Sequence, residues 1–391
     1  MNRLHHLLAA LLAAALLLAA CGDQPTTQEA PEPTDAPAAT EAELTEDAAP
    51  AAEVETDAAA ITVTDQRGTT LTLDQPADQI VTIPIPAAAL MMAVDGSSER
   101  LVGIHPSSAQ AIQGEILGEI FPEAGSIPSD VVGEGFAPNV ESILALNPDL
   151  VIQWGNRGAD LTAPLENAGL NVAGLNYGTQ EDLETWITLF GDMIGEPERA
   201  TQIIDWQRSS LAEIQTQAET IGDEPPRIIY FNRLGEELRV AGSDTYNDFY
   251  IQLVGGVNPA AEVNGFTAVN AEQVLTWNPD IVLIGNFDEA TPDDVYQNPL
   301  WQEMSAVVNQ RVYKAPLGGY RWDPPNQESP LLWRWLAVLA FPEVYAFDLR
   351  NDIRENYQLL YDYEPTEEQI DRILQLDVNI GAAAYERFVN E

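Results

Sequence analysis

The chain has 391 residues, 45% of them hydrophobic, and a formal net charge of −45 at pH 7. This length and apolar content suffice for two domains with hydrophobic cores. A negative charge of this size, with no basic stripe to offset it, repels polyanions and excludes nucleic acid as a partner.

The first residues have the pattern of a secretory signal that ends in a lipidation site. Arg3 supplies the positive charge, residues 7–18 form the apolar run, and Cys21 is the only cysteine of the chain. The apolar run is too short and wrongly flanked for a stable membrane span. Because Leu18-Ala19-Ala20-Cys21 resembles a bacterial lipoprotein box, we expect residues 1–21 to be a signal peptide and Cys21 to become the lipidated first residue. The alternative is an ordinary signal with an incidental cysteine.

Residues 22–60 follow as a polar segment of Ala, Pro, Thr, Asp and Glu. The segment contains eleven acidic residues and no basic one. It cannot bury enough apolar surface to fold, and its like charges favour an extended chain. We therefore predict a disordered tether to a lipid anchor, in the periplasm or on the outer face of the cell membrane. The alternative is a charged run on a folded face.

The first folded region, residues 61–195, reads as an α/β lobe. Residues 61–65 and 69–73 predict a small hairpin, and buried strands are predicted at residues 80–84, 101–104 and 172–175. Helices are predicted between them, at residues 87–93 and 161–168. Alternation of strand and helix with short connections indicates a mainly parallel sheet.

A long helix is predicted between this lobe and the next one. Residues 197–221 begin with proline in the first turn and contain no interior helix breaker. At ~1.5 Å per residue, this helix would span roughly 37 Å. We assign residues 196–222 to this connection and residues 223–391 to a second α/β lobe that ends in helices.

Two segments 131 residues apart repeat one pattern, at residues 139–152 and 270–283. In each, an Asn caps a short helix and a Glu follows in the first turn, where the helix dipole favours negative charge. Asn-Pro-Asp then ends the helix, and a β-branched apolar run follows as a buried strand. The repetition predicts two lobes of similar design.

This order of elements resembles the substrate-binding proteins of ABC importers that carry ferric siderophores, haem and cobalamin. The resemblance covers about residues 61–345. Its motifs are the opening hairpin, both Glu-containing segments, the long helix, Leu101-Val102-Gly103-Ile104, and the stretch from Pro299-Leu300-Trp301 to Arg311-Val312-Tyr313. It implies two Rossmann-like lobes with mainly parallel sheets, joined by the single long helix, with the ligand cleft between the lobes.

The resemblance also implies a docking surface. In such proteins one glutamate near the tip of each lobe contacts arginines of the membrane permease, and the matching positions here are Glu141 and Glu272. The alternative is that each carboxylate only stabilises its helix start, by ~0.3–1 kcal/mol. That alternative explains either glutamate singly and explains less well why both copies keep one.

Ligand contacts are expected in loops at the carboxyl ends of the strands. The candidates of the first lobe are Phe136, Trp154, Arg157 and Tyr177. The candidates of the second lobe are Arg233, Asn286, Tyr320, Arg321 and Trp322. Aromatic rings beside arginines suit a bulky, flat or anionic ligand.

Alternatives stay open at two of these positions. Trp322 can instead pack beneath the C-terminal helices, and Arg321 can instead pair with a surface acid. For Arg321 and Arg157 the ligand-binding interpretation is favoured, because arginines that point into a cleft are informative in so acidic a chain.

Histidine content narrows the ligand class. His5 and His6 lie in the signal, so the mature chain retains only His105. A site for bare zinc or manganese needs several His and carboxylate ligands, which this chain cannot supply on the His side. We expect no protein metal site and a ligand whose metal is already chelated, a ferric siderophore first, with cobalamin, haem or molybdate as alternatives. His105 is expected to be structural or, failing that, an axial ligand to such a chelate.

Catalytic motifs are missing from the sequence. It contains no Gly-rich phosphate loop, no His-Glu helix motif and no Gly-x-Ser-x-Gly. We therefore expect no catalytic residues, no cofactor and no enzyme activity, and a monomer that binds a metal chelate and an ABC permease. A surface adhesion or scaffold lipoprotein is the competing class.

Overall fold

Two β-sheets organise the chain, one before and one after a long helix. The computed structural model describes residues 60–235 and 237–390. The predicted signal peptide with Cys21 and the predicted tether, apart from Ala60, lie outside these residues.

The first sheet has four parallel strands in the order β4-β3-β5-β6, preceded by an antiparallel hairpin of β1 and β2. These strands are β1 Ile61–Thr64, β2 Thr70–Leu73, β3 Ile80–Thr82, β4 Leu101–Ile104, β5 Leu150–Trp154 and β6 Val172–Leu175. The helices of this lobe are α1 Ile85–Asp95, α2 Pro106–Gly114, α3 Ile116–Ile120, α4 Val140–Ala145, α5 Ala163–Asn167 and α6 Gln180–Ile194. Strands β3 and β5 are buried throughout, as expected for a parallel sheet covered on both faces.

Helix α7, Pro197–Ala218, connects the lobes; its 22 residues span about 33 Å. The second sheet has five strands in the order β11-β10-β7-β8-β9. They are β7 Ile228–Arg233, β8 Arg239–Ala241, β9 Phe266–Ala268, β10 Ile281–Ile284 and β11 Val312–Lys314. Strands β7, β10 and β11 are parallel, whereas β8 and β9 add an antiparallel edge. The predicted α/β fold with mainly parallel sheets is therefore confirmed.

Eight helices belong to the described part of the second lobe. They are α8 Tyr246–Leu253, α9 Ala271–Trp277, α10 Pro292–Tyr296, α11 Ser305–Val308, α12 Ser329–Ala340, α13 Leu349–Tyr361, α14 Glu367–Ile373 and α15 Leu376–Asn379. Almost the whole surface of α12 is buried, which its apolar sequence explains.

The repeated segments form the same structure in both lobes. The side chains of Asn139 and Asn270 accept hydrogen bonds from backbone N–H groups in the first turns of α4 and α9. Asp149 then accepts the N–H of Gln79, just before β3, and Asp280 accepts the N–H of Arg227, just before β7. Each aspartate thus aligns its own strand with the first strand of its sheet.

The lobes share one apolar core and several polar contacts. The largest cluster of buried apolar side chains runs from Val63 in the hairpin to Phe388 near the C-terminus. Glu119 on α3 forms an ion pair of 2.7 Å with Arg372 on α14, so the C-terminal helices also contact the first lobe. The lobes are therefore connected in two ways, by helix α7 and by these contacts, which fix the lobes relative to each other.

Candidate functional site

A cavity of about 390 Å³ lies between the lobes at the carboxyl ends of β5, β6, β7 and β10. This volume falls in the range of small-molecule sites, roughly 300–1,000 Å³. The first lobe contributes Arg157, Tyr177 and Gly178. The second lobe contributes Tyr230, Asn232, Asp244, Thr245, Tyr246, Asn247, Gly265, Phe266, Phe287, Asp323, Pro324 and Pro325.

Arg157 is the cationic side chain of this cavity. Its guanidinium carbon lies 3.9 Å from the ring centroid of Trp154 and 4.9 Å from that of Phe136. Burial lowers the pKa of Arg157, and no carboxylate of the described residues pairs with it. Nine other arginines of the described chain do form ion pairs. The donors of Arg157 are therefore available to ligand oxygen atoms, while the two rings hold its plane.

Trp154 and Phe136 support Arg157 and do not line the cavity themselves. Trp154 is 3% exposed, and its ring packs edge-on against Phe136 at 5.7 Å. The backbone at Gly135 and Phe136 is left-handed, with φ of 63° and 66°. A bulky residue seldom adopts this conformation, so the turn is shaped to present the ring at this place.

An equivalent phenylalanine of the second lobe was not predicted. Gly265 has a φ of 62°, and Phe266 after it lines the cavity with 47% of its surface exposed. Gly135-Phe136 and Gly265-Phe266 precede the capping Asn139 and Asn270, but the second segment is one residue longer. The repeated pattern therefore continues as far as these two phenylalanines beside the cleft. The one extra residue of the second segment hides this from a comparison at fixed spacing.

The loop after β10 brings Asn286 and Phe287 to the cavity edge. Asn286 donates its side-chain N–H groups to the carbonyls of Ala315 and Pro316, each at 3.0 Å. Phe287 lines the cavity. Asn286 therefore anchors the loop, and Phe287 faces the ligand space.

The side chain of Lys314, the only lysine of the chain, also anchors the loop after β10. Its ammonium group donates to the carbonyls of Gly285, Asp288 and Ala290 at 2.9, 2.7 and 2.9 Å. Three donors on one nitrogen thus meet three converging carbonyls, which satisfies a buried charge.

Tyr320 and Arg321 lie next to the main cavity. Arg321 donates to the carbonyl of Asn286 at 2.9 Å, and its guanidinium carbon is 5.2 Å from the Phe287 ring centroid. Tyr320 and Arg321 also line a smaller interlobe cavity of about 70 Å³, opposite Glu115. Arg321 forms no ion pair within 4.0 Å with any described carboxylate, so it is not tied to a surface acid.

Arg233 and Trp322 are placed away from the cavity. Arg233 ends β7 with an exposed side chain, while its neighbour Asn232 lines the cavity. Trp322 is fully buried, and its indole N–H donates to Glu328 at 2.6 Å. Trp322 thus packs beneath its loop.

Buried tyrosines form the floor of the cavity, and most were not predicted. The Tyr177 hydroxyl donates to the carbonyl of Pro325 and so connects the lobes across the site. The Tyr230 hydroxyl donates to the carboxylate of Asp323. Burial raises the pKa of Tyr230 and of Asp323, so the phenol keeps its proton at neutral pH. The sequence gives little indication that Tyr230 lines a site, because Tyr230 lies in an apolar run that predicts a buried strand.

Glu141 and Glu272 lie at equivalent exposed places, in the first turns of α4 and α9. Neither carboxylate forms a hydrogen bond with a described residue. Leu144 and Leu275, one helical turn further on, are 46% and 36% exposed. Each lobe therefore presents the same pair of a free carboxylate and an exposed leucine.

His105 caps a helix. Its Nδ1 accepts the backbone N–H of Ser107 at 3.0 Å, which fixes the ring at the start of α2. The ring centroid lies 5.3 Å from that of Phe136, and burial lowers the pKa of His105. Among residues 60–235 and 237–390, no cluster of three His, Cys, Asp or Glu residues is arranged to bind a metal ion.

Two other cavities, of about 500 and 530 Å³, lie among the C-terminal helices. The first contains Arg350 and Arg387, which already donate to the carbonyls of Phe388 and Val338. The second contains Asp293 and Asp377 and no arginine or lysine. Of the four cavities described, the interlobe cavity of about 390 Å³ is the one that combines aromatic walls from both lobes with a cation that pairs with no described carboxylate.

Two α/β lobes on a connecting helix, with an aromatic cavity between them, define a bilobal solute-binding protein. The sequence model of the family "Periplasmic binding protein" matches residues 127–317. A periplasmic solute binding protein from Veillonella parvula has a similar solved structure, with a TM-score of 0.77, 34% identity, and coverage of 82% of this chain and 98% of that one. The chain belongs to the periplasmic binding protein family.

Two relatives from Bacillus subtilis are also similar in sequence. The uncharacterized ABC transporter substrate-binding lipoprotein YvrC is 24% identical over 310 residues, or 78% of this chain and 87% of YvrC. The iron(3+)-hydroxamate-binding protein FhuD is 28% identical over 210 residues, or 51% of this chain and 65% of FhuD. Both are named as binding proteins, and YvrC is named as one of an ABC transporter; the predicted class, a substrate-binding protein of ABC importers, is confirmed.

Proposed function

We propose that this protein captures a bulky, anionic metal chelate outside the cytoplasm, a ferric siderophore first, and delivers it to an ABC permease. The observation that carries the proposal is Arg157, a cation that pairs with no carboxylate of residues 60–235 and 237–390, lies on the faces of Trp154 and Phe136, and lines the cavity. Ferric catecholates combine flat aromatic rings with anionic oxygen atoms, and ferric carboxylates and hydroxamates present oxygen atoms that carry negative charge. Arg157 and the aromatic walls match both properties.

Cavity volume favours a chelate over a bare oxyanion such as molybdate. The 390 Å³ correspond to about thirteen water molecules at ~30 Å³ each, which is far more than a tetrahedral oxyanion needs. The name of FhuD supports the same choice, since that relative binds iron(3+) hydroxamate.

Ligand-dependent stabilisation tests the cargo. Purified protein is screened with ferric hydroxamate, ferric catecholate, ferric citrate, haem, cobalamin and molybdate; a ligand at 100 times its Kd stabilises by about 2.7 kcal/mol. We expect a ferric chelate to give the largest shift. A shift with molybdate alone would overturn the chelate assignment, and no shift at high ligand excess would favour the adhesion or scaffold class.

The role of Arg157 is tested by titration calorimetry on Arg157→Ala. Loss of charge-assisted hydrogen bonds should weaken binding of an anionic chelate about 10–100-fold. Arg208→Ala is the matched control, because Arg208 is exposed on α7 and pairs with Glu184. Equal affinities of the two variants would show that Arg157 does not contact the ligand.

Glu141 and Glu272 are proposed to dock on the permease. Glu141→Ala combined with Glu272→Ala should abolish uptake of radiolabelled chelate by cells while leaving its affinity unchanged. Glu198→Ala is the control, because Glu198 is also an exposed glutamate in a first helical turn. Loss of ligand affinity in the double variant would assign both residues to the pocket or the fold instead.

Membrane attachment is proposed to occur through Cys21. Among the described residues, no helix combines the length and the hydropathy that a membrane span needs. Cys21→Ser should therefore release the protein from the membrane fraction, and a variant that stays bound would refute the lipid anchor.

A further inference from the structure

A fully buried carboxylate, that of Glu328, lies immediately before α12. One oxygen accepts the backbone N–H of Gly319 at 2.9 Å and the hydroxyl of Tyr361 at 2.6 Å. The other accepts the indole N–H of Trp322 at 2.6 Å and the hydroxyl of Tyr357 at 3.3 Å. Two donors thus come from the segment of residues 318–322, and two come from helix α13.

The glycine pair of this segment is explained by the same carboxylate. A Cβ atom at Gly318 would lie 2.0 Å from a carboxylate oxygen of Glu328, and one at Gly319 would lie 2.4 Å from the Tyr361 hydroxyl. Both distances are far below contact distance, and the neighbouring atoms are held by hydrogen bonds. Glycine is therefore required here because Glu328 and Tyr361 approach the backbone closely.

The two oxygens of the Glu328 side chain match these four donors. A carboxylate accepts about four hydrogen bonds, whereas the amide of glutamine would direct two N–H groups at donors. Burial raises the pKa of Glu328 to about 7, and the four hydrogen bonds oppose that rise. Burying such a group is costly, which indicates a role beyond filling space.

The segment that Glu328 holds carries two residues beside the cleft, Tyr320 and Arg321. The Arg321 side chain has one hydrogen bond to a described residue, to the Asn286 carbonyl, so its place depends mainly on its own backbone. On the opposite side, the Tyr361 ring packs edge-on against Phe121 of the first lobe, with centroids 6.2 Å apart.

We propose that Glu328 is a positioning residue, which fixes residues 318–322 so that Tyr320 and Arg321 are presented to the ligand. The inference rests on the proposed function, since it assumes a ligand in the interlobe cleft. It extends that function by linking the ligand-facing segment to the packing of α13 against the first lobe.

The test compares Glu328→Gln with Asp352→Asn in the full chain. Asp352 is a largely buried carboxylate on α13, the helix that carries Tyr357 and Tyr361; it pairs with Arg334 and forms no hydrogen bond with residues 318–322. The probe ligand is a ferric hydroxamate, titrated by calorimetry, and amide hydrogen exchange of the 318–322 peptide is measured without ligand.

We expect Glu328→Gln to speed exchange in this peptide about tenfold and to weaken ferric hydroxamate binding about tenfold. Asp352→Asn should lower the melting temperature and leave both quantities unchanged. Unchanged exchange in Glu328→Gln, or equal losses of affinity in the two variants, would overturn the inference.

Tyr361→Phe is the second variant if Glu328→Gln does not fold. It removes one donor and keeps the carboxylate, so exchange should rise by a smaller factor; unchanged exchange would overturn the inference. If the unmodified protein binds no ferric hydroxamate, that class of chelate is excluded as the cargo, while the exchange measurement still decides whether Glu328 positions the segment.

Discussion

Replacement of Lys314 by methionine should destabilise the protein strongly, although it substitutes one flexible, unbranched side chain for another. Lys314 is 7% exposed and donates to three carbonyls of the loop after β10. Methionine fills similar space but has no donor. One buried and two partly buried carbonyl groups would then lose their partner at once.

The magnitude follows from these three bonds. A hydrogen bond from a charged donor contributes about 1.5–3 kcal/mol, and desolvation of the buried ammonium group offsets several kcal/mol of the sum. We therefore expect a net loss of about 3–5 kcal/mol in the free energy of unfolding. For a domain of this size, that is on the order of 10 °C in melting temperature.

Urea unfolding of Lys314→Met, Lys314→Arg and Arg208→Met provides the assay. Lys314→Arg should lose at least half as much free energy of unfolding as Lys314→Met, because the planar guanidinium group cannot direct three donors from one nitrogen. Arg208→Met removes an exposed ion pair and should cost less than about 1 kcal/mol. A loss below about 1 kcal/mol in Lys314→Met, or full stability in Lys314→Arg, would refute the reasoning.

Three other predictions address the repeat, the interlobe contact and pH. Asp149→Ala and Asp280→Ala should each lower the free energy of unfolding in urea by about 1–2 kcal/mol, since each removes an acceptor for the N–H just before a strand. A loss in only one of the two variants would contradict the equivalence of the two aspartates. Tyr177→Phe should cost about 1 kcal/mol by calorimetry, because the bond to Pro325 is lost, and a more stable variant would contradict this. Burial raises the pKa of Glu328 from 4.5 to about 7, so its stabilising contribution is complete below about pH 4.5 and is lost as pH rises to about 7. From about pH 4.5 to about pH 7, the free energy of unfolding of the unmodified protein should therefore fall by on the order of 3 kcal/mol relative to that of Glu328→Gln, as measured by urea titration. Parallel pH profiles of the two proteins would contradict this prediction.

The sequence predicts the parallel parts of the fold well, because their signals are local. Strands β4 and β6 have the predicted bounds, Leu101–Ile104 and Val172–Leu175, and Asn139 and Asn270 cap their helices as predicted. Strands β8 and β9 escaped prediction because each has three residues and partly exposed side chains. They are strands because β8 pairs with β7 and β9 pairs with β8, and the second of these pairings joins residues far apart in the chain.

Site residues are harder to predict than loops, because a loop's position does not determine where each side chain points. Arg157 and Tyr177 line the cavity, but at the end of β7 Asn232 faces it and Arg233 does not. The place of Trp322 is set by Glu328, which also accepts hydrogen bonds from Tyr357 and Tyr361 on a helix about thirty residues further on. No local pattern contains that information.

The burial of Lys314 has a practical consequence for work on this protein in solution. As the only lysine, it is also the only side chain with a primary amine, and three carbonyls occupy its donors. Amine-directed dyes, surface immobilisation and lysine cross-linkers will therefore find no reactive side chain on the folded surface. A lysine introduced at a chosen exposed position would give a single, defined attachment point for measuring how the protein meets its permease.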